Sequence, residues 1–251
     1  MIIEYHRPQT LESALQLLGR DEPLTLPMGG GTVLSRPGRE RYAVVDLQAL
    51  GLNEIVSEGN LLRIGALSAL QQLFESDALQ PALRAAAHRE TSLNLRQVST
   101  VAGTLVVSDG RSIFATALLA LDARLIWQPQ DREIGLGEYL PLRENFRGGR
   151  LISEVRVPSN PRIEIETVAR SPEDRPIVIV AAAKWPSGRT RVAVGGFGAA
   201  PMLAMDGTEP AGAVQAVRQA FSSSSDQWAT AEYRVEAAGI LTGRCLEQVG
   251  V

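Results

Sequence analysis

Cysteine is almost missing from this chain of 251 residues: Cys245 stands alone, and His6 and His88 are the only histidines. One thiol and two unpatterned imidazoles cannot build a disulfide, a zinc site or an iron–sulfur cluster. Cys245 falls in a stretch that reads as a terminal helix, where a thiol is a packing residue, and the histidines read as surface or packing groups. Lysine is scarce too, since Lys184 is the only one and arginine carries nearly all the positive charge. With a formal charge of -3, a pI near 5.6 and no basic run, the chain lacks the footprint of a nucleic-acid binder. No apolar run approaches the roughly 18 residues of a membrane span. The first residues, MIIEYHRPQTLE, have neither the basic start nor the apolar core of a signal peptide, so the expectation is a cytoplasmic protein without a membrane span.

What is present is a hydrophobic content of 45%, enough for a core divided among two or three small domains. The stretch LTLPMGGGTVL, Leu24 to Leu34, draws the eye first. A short apolar strand runs into a Pro-Met corner and three glycines, Gly29, Gly30 and Gly31. Glycine accepts positive φ and has no Cβ, so such a loop can aim successive amides into one small space, as an anion requires. The same residues also suit a plain connecting turn, and alone they do not separate the two readings.

Along the chain, Thr10 caps an amphipathic helix with Leu11, Ala14, Leu15 and Leu18 on one face. Tyr42–Leu47 reads as a buried strand, with Asp46 capping the turn that follows. Ile55–Ser57 and Leu61–Ile64 flank a hairpin turn at Glu58-Gly59-Asn60. Ser68 and Asp77 are candidate caps of the next two helices. LNLRQVSTVAGTLVVSD, from Leu93 to Asp109, reads as a second backbone-exposing loop around Gly103. A helix from Ser112 through Leu121, a strand at Arg124–Gln128 and a hairpin at Gln130-Asp131 follow. Leu151–Val157 reads as an edge strand, broken by Pro158-Ser159-Asn160-Pro161. Beyond it, 163–169, 177–184 and 191–196 read as three strands, and 209–221 and 227–247 as helices. Asp226 is the expected N-cap of the last helix, with Trp228, Ala231 and Val235 facing inward, and Asp226, Tyr233 and Arg234 in structural or interface roles. The expected class is α+β, without internal repeats.

In this order the motifs resemble one family over nearly the whole chain, the flavin-binding medium subunits of molybdenum hydroxylases. The matching words are the Pro8–Leu18 helix, MGGGTVL, Ile64-Gly65-Ala66, RQVSTVAGT from Arg96, LLALDA, Glu154, Gly195-Gly196, and Asp226 with Tyr233-Arg234. The resemblance implies an FAD held by two small N-terminal α/β subdomains, 1–54 and 55–158, and covered by a C-terminal domain, 161–251, with a three-stranded antiparallel sheet and helices. It places the FAD diphosphate on a first loop, Gly29, Gly30, Gly31, Thr32, Val33 and Leu34, and a second, Ser99, Thr100, Ala102, Gly103 and Thr104. Asp109 is a further candidate contact. Backbone amides and the hydroxyls of Thr32, Thr100 and Thr104 are suitable donors.

The family also implies an oxidoreductase component that passes electrons from an iron–sulfur subunit to an external acceptor, while a molybdopterin subunit oxidises substrate. No residue of this chain need be catalytic. There are departures from the pattern. Val33 and Ile113 stand where relatives carry aspartates, Ala102 replaces a glycine expected at positive φ, and a lysine expected shortly before Arg170 is missing. Two other readings remain: a relative that has lost flavin and serves as an assembly module, and a self-contained flavoenzyme. No acid–base pair beside the loops supports the latter.

Overall fold

The computed structural model describes residues 1–146, 148–171 and 174–251, and the helices and strands are gathered around three sheets. The first sheet is small and parallel, in the order β1-β3-β2, built from β1 (Ile2–His6), β2 (Thr25–Met28) and β3 (Tyr42–Asp46). Helix α1 (Leu11–Leu18) crosses between β1 and β2, capped by Thr10, whose hydroxyl accepts from Ser13 N at 3.2 Å. Ala14 and Leu18 of its apolar face pack on Val45 and Leu47. Strand β1 carries no alternating face to mark it in the sequence: Ile2, Ile3 and Tyr5 are all exposed, and Glu4 and His6 are half-buried.

The second sheet is antiparallel, ordered β4-β5-β8-β6-β7. Its strands are β4 (Ile55–Glu58), β5 (Leu61–Gly65), β6 (Arg124–Gln128), β7 (Arg132–Gly135) and β8 (Leu151–Pro158). The expected hairpins at 58–60 and 130–131 both form. Leu151–Val157 was expected at an edge and instead lies in the middle, paired with β5 on one side and β6 on the other. Its alternation reflects one buried face and, on the other, Glu154 and Arg156 neutralised by cross-strand partners. Glu154 is held by Arg63 at 2.6 Å and Arg156 at 2.7 Å.

The third sheet contains β9 (Arg162–Val168), β10 (Val178–Lys184), β11 (Thr190–Gly195) and β12 (Met202–Gly207) in the antiparallel order β12-β11-β10-β9. It therefore has four strands, where three were expected. The fourth is an edge strand with Met202 and Leu203 exposed, which hides the usual buried pattern. The prolines at 158–161 mark the place where the chain leaves the second sheet for the third. Both faces of the third sheet are covered, so β10 reads as a continuous apolar run. Ile179, Ala181 and Ala183 face one core, and Val178, Val180 and Ala182 face the other.

The first of those cores is filled by α2 (Leu70–Glu75), α3 (Pro81–Arg89), α5 (Val101–Val107), α6 (Ile113–Ala120) and α7 (Leu136–Leu142), with the short α4 (Leu93–Arg96) beside them. All eight residues of α6 are buried, as befits a helix packed on every side. Ser112 caps it as expected, accepting from Ala115 N at 3.0 Å. Ser68 and Asp77 do not cap: the neighbouring helices begin after Ala69 and Gln80. Opposite, α8 (Ala213–Ala220) and α9 (Ala231–Val249) close the second core around Phe221 and Cys245. Burial pushes the Cys245 thiol up to about 12, in keeping with an inert packing residue.

Helix α9 corrects one expectation. Its N-cap is Thr230, whose hydroxyl accepts from Tyr233 N at 3.3 Å, and Asp226 lies before it in a turn, accepting from Trp228 N at 2.7 Å. Trp228 is accordingly outside the helix and exposed; it stacks on the Arg111 guanidinium, 4.7 Å from the ring centre.

Candidate cofactor site

The glycine loop leaves the carboxyl end of β2, the end of a parallel strand where open sheets hold ligands. Gly29 and Gly30 pass directly against the segment before α5. A Cβ on Gly30 would overlap the Val98 carbonyl, and one on Gly29 would come to 2.6 Å from Thr100 Oγ1. Thr100 Oγ1 also lies 2.7 Å from where a Cβ on Gly103 would stand. The threonine hydroxyl thus sits between glycines of both expected loops, and the two loops are brought together. Gly31 turns the chain with φ of +69°. Among the described residues, none of the backbone N–H groups from Gly29 through Leu34 donates to a protein acceptor. Unpaired amides in a glycine turn form a concavity of partial positive charge suited to an anion.

The second expected loop is different in kind. It is the end of α4, a short extended link and the start of α5, with Thr100 as N-cap accepting from Gly103 N at 3.2 Å. Its amides are already satisfied, except that Thr100 N has no acceptor among the described residues. Ser99 N donates to Leu95 O at 2.7 Å, Val101 N to Ser68 O at 2.9 Å, Ala102 N to Ala66 O at 3.0 Å and Thr104 N to Thr100 O at 2.8 Å. Ala102 is helical and has ordinary negative φ, which removes the expected cost of an alanine there. Hydroxyl groups of Thr100 and Thr104 are what this segment offers a ligand, beside the amides of the first loop. Arg96, buried, fixes the segment from behind by donating to Gln71 Oε1 at 3.0 Å and His88 O at 2.7 Å.

Asp109 is drawn elsewhere. It holds Arg175 with both oxygens, one of them at 2.8 Å, and accepts from Arg111 N at 2.8 Å. Burial raises its pKa, but the Arg175 pair and the Arg111 amide outweigh that and keep the carboxyl below its ordinary range. The next residue, Gly110, is laced to the loop after β11: Gly196 N donates to Gly110 O at 2.6 Å and Gly110 N to Gly198 O at 3.0 Å. A Cβ on Gly110 would overlap the Phe197 carbonyl, so Gly195-Gly196 and Gly110 are glycines of close backbone approach. Nothing in the motif order singled out Gly110 or Arg175.

Ile113 is buried in α6, and the residues before Arg170 lack a lysine. A cation reaches that stretch from α3, where Arg89 Nη2 donates to Thr167 Oγ1 at 2.6 Å. Both Arg89 and Ile113 line a cavity of about 280 Å³ with Ala82, Ala85 and Ile165. Arg234 is fully buried and structural: it grips Asp226 at 2.8 and 2.9 Å and donates to Ile177 O at 2.9 Å. A single guanidinium nitrogen, Nη2, holds both Asp226 oxygens, tying the turn before α9 to the start of β10.

A mixed fold of small sheets, with a strand-end glycine loop of unpaired amides, describes a module built to hold an anionic group. Residues 1–160 match the FAD binding domain in molybdopterin dehydrogenase, and the chain belongs to that family. FAD is the cofactor that this family defines, and the unpaired first-loop amides fit its diphosphate. Over 250 residues, 96% of this chain and 94% of the other, it is 28% identical to the uncharacterized protein YgfM of Escherichia coli (strain K12). It is 35% identical over 129 residues to the xanthine dehydrogenase FAD-binding subunit of Escherichia coli O157:H7, covering 48% of this chain and 44% of that one. Its fold is that of a chain of carbon monoxide dehydrogenase from Hydrogenophaga pseudoflava, with a TM-score of 0.79 at 22% identity over 98% and 96% of the two chains. Quinoline 2-oxidoreductase from Pseudomonas putida 86 gives the same TM-score of 0.79 at 20% identity, over 99% and 97%.

Proposed function

We propose that this chain is the electron-transfer flavoprotein subunit of a molybdenum hydroxylase-type dehydrogenase. Bound FAD would supply the redox chemistry, taking electrons from iron–sulfur clusters on one partner chain and releasing them to an external acceptor. A third chain would carry the molybdopterin and oxidise the substrate. The observation that carries the reading is the set of unpaired amides from Gly29 to Leu34, pressed against Thr100 by glycines that tolerate no side chain. In this reading the amides of Gly29, Gly30, Gly31, Thr32, Val33 and Leu34 hold the diphosphate, so Val33 in place of an aspartate leaves the main contact intact. Hydroxyls of Thr100 and Thr104 add donors, Ser99, Ala102 and Gly103 shape the wall, and Asp109 positions Arg175 and Arg111 in place of contacting the cofactor. The division at 54–55 and 158–161 follows the three sheets.

The single buried cysteine fits a division of labour in which the clusters lie in another chain. The protein alone should oxidise no organic substrate, while its dithionite-reduced flavin should reduce artificial acceptors on mixing. Substrate turnover without added subunits would favour a self-contained flavoenzyme. The assembly-module reading draws on Asp109 being held by Arg175 and on the burial of Ile113, and a chain that binds no FAD would support it.

A further inference from the structure

The first loop has a second side. From Gly31 to Leu34 its carbonyls, unlike its amides, are tied down. Gly31 O accepts from Ser35 N at 3.1 Å and from the Ser35 hydroxyl; Thr32 O accepts from Arg36 Nε at 3.1 Å; Val33 O accepts from Arg36 N at 3.1 Å; Leu34 O accepts from the Tyr42 hydroxyl at 2.6 Å. A trans peptide unit is planar, with its C=O and N–H pointing in opposite directions. Fixing the carbonyls of Gly31, Thr32 and Val33 therefore fixes the amides of Thr32, Val33 and Leu34, and aims them to the opposite side. Two of the tethering residues, Ser35 and Arg36, are exposed, and bury no apolar surface that would explain their place. Tyr42 begins β3 and anchors the end of the loop to the first sheet.

We infer that Ser35, Arg36 and Tyr42 are positioning residues that hold the first-loop amides in readiness for the FAD diphosphate. The inference rests on the cofactor reading above and adds to it the residues that preorganise the cradle. Donors held in place before binding cost no ordering when the ligand arrives. The arginine acts through its bond to Thr32 O, not as a free charge, and that distinguishes it from Arg39, exposed on the same loop.

The test is FAD affinity of the full chain, measured by fluorescence titration of apoprotein, alongside the melting temperature of each apoprotein. Arg36→Met and Tyr42→Phe should each weaken FAD binding about threefold to tenfold, the worth of one hydrogen bond, with the apoprotein melting temperature lowered by no more than about 2–4 °C. Ser35→Ala should weaken binding and Ser35→Thr, which keeps the hydroxyl, should restore it. Arg39→Met should bind as the wild type does. Unchanged affinity in Arg36→Met and Tyr42→Phe overturns the positioning role while leaving the cofactor reading in place. An equal loss in Arg39→Met would assign the effect to charge alone, and a melting temperature that falls by more than about 4 °C would assign it to folding; either also overturns the inference. A wild-type chain that takes up no FAD overturns the cofactor reading itself.

Discussion

Ala102 and Glu90 show how a residue's surroundings decide what its side chain can do. Ala102 lies in the first turn of α5 with its amide bonded to Ala66 O, so glycine there loses helix propensity and gains nothing. Ala102→Gly should lower stability by up to about 1 kcal/mol in chemical denaturation, with FAD affinity unchanged. Tighter FAD binding in that variant would mean that the methyl group obstructs the cofactor. Glu90 follows α3 and accepts from Phe114 N at 2.9 Å. Burial raises its pKa to about 7, against the lowering effects of the Phe114 amide, Ser112 and Arg175. The folded state therefore holds a proton that the unfolded chain, with a carboxyl near its ordinary value, releases earlier. Stability from this group is full below the unfolded pKa and is lost as pH rises toward 7. Thermal melts between pH 5 and 7.5 should show the wild type losing more stability than Glu90→Gln, which cannot ionise. Parallel curves for the two proteins would remove Glu90 from the account.

At the scale of elements, the turn before α9 concentrates two interactions of unequal size. Thr230 supplies a cap, and Thr230→Ala should cost about 1 kcal/mol. Asp226 holds the fully buried Arg234, and Asp226→Ala would leave that guanidinium without its carboxylate, so the loss should be larger, about 1.5–3 kcal/mol. Denaturant titrations give the order directly, and a Thr230→Ala loss equal to or above that of Asp226→Ala would contradict it. Flavin content per folded protein should be the same in both.

That turn also shows what the sequence could and could not reveal. A carboxylate after four serines has the composition of an N-cap, and only the fold shows that its partner is Arg234, eight residues on. The same holds for STVAGT. Small and hydroxylated residues around a glycine suggest an open loop, yet long-range bonds from Ser68 and Ala66 turn them into the start of a helix. Hairpins with a local turn signal, at Gly59 and at Gln130-Asp131, were legible. Strands β1 and β12 were not, because edge strands with exposed apolar residues carry no alternation. The first loop was legible as a glycine cluster, but its closeness to Thr100 depends on residues some 70 positions apart and on no local pattern.

For the whole molecule, the units of the first two sheets meet at the candidate cradle, and the third is joined to the second. The first sheet supplies the glycine loop, the helices on the second supply Thr100 and Thr104, and the third is laced to the second through Gly110 and Gly196. Such an arrangement lets a cofactor between the loops stabilise several units at once, so FAD should raise the melting temperature in a concentration-dependent way. The central claim is that the unpaired amides of Gly29 to Leu34 hold FAD, and the visible spectrum of the purified chain after incubation with FAD tests it most directly. The account predicts flavin absorption at stoichiometric yield. It also predicts loss of flavin in Gly31→Val, whose side chain meets only ordinary contact with Met28 but cannot follow the positive φ that turns the loop. A folded wild-type chain that stays colourless, or a Gly31→Val chain that keeps full flavin, would contradict it.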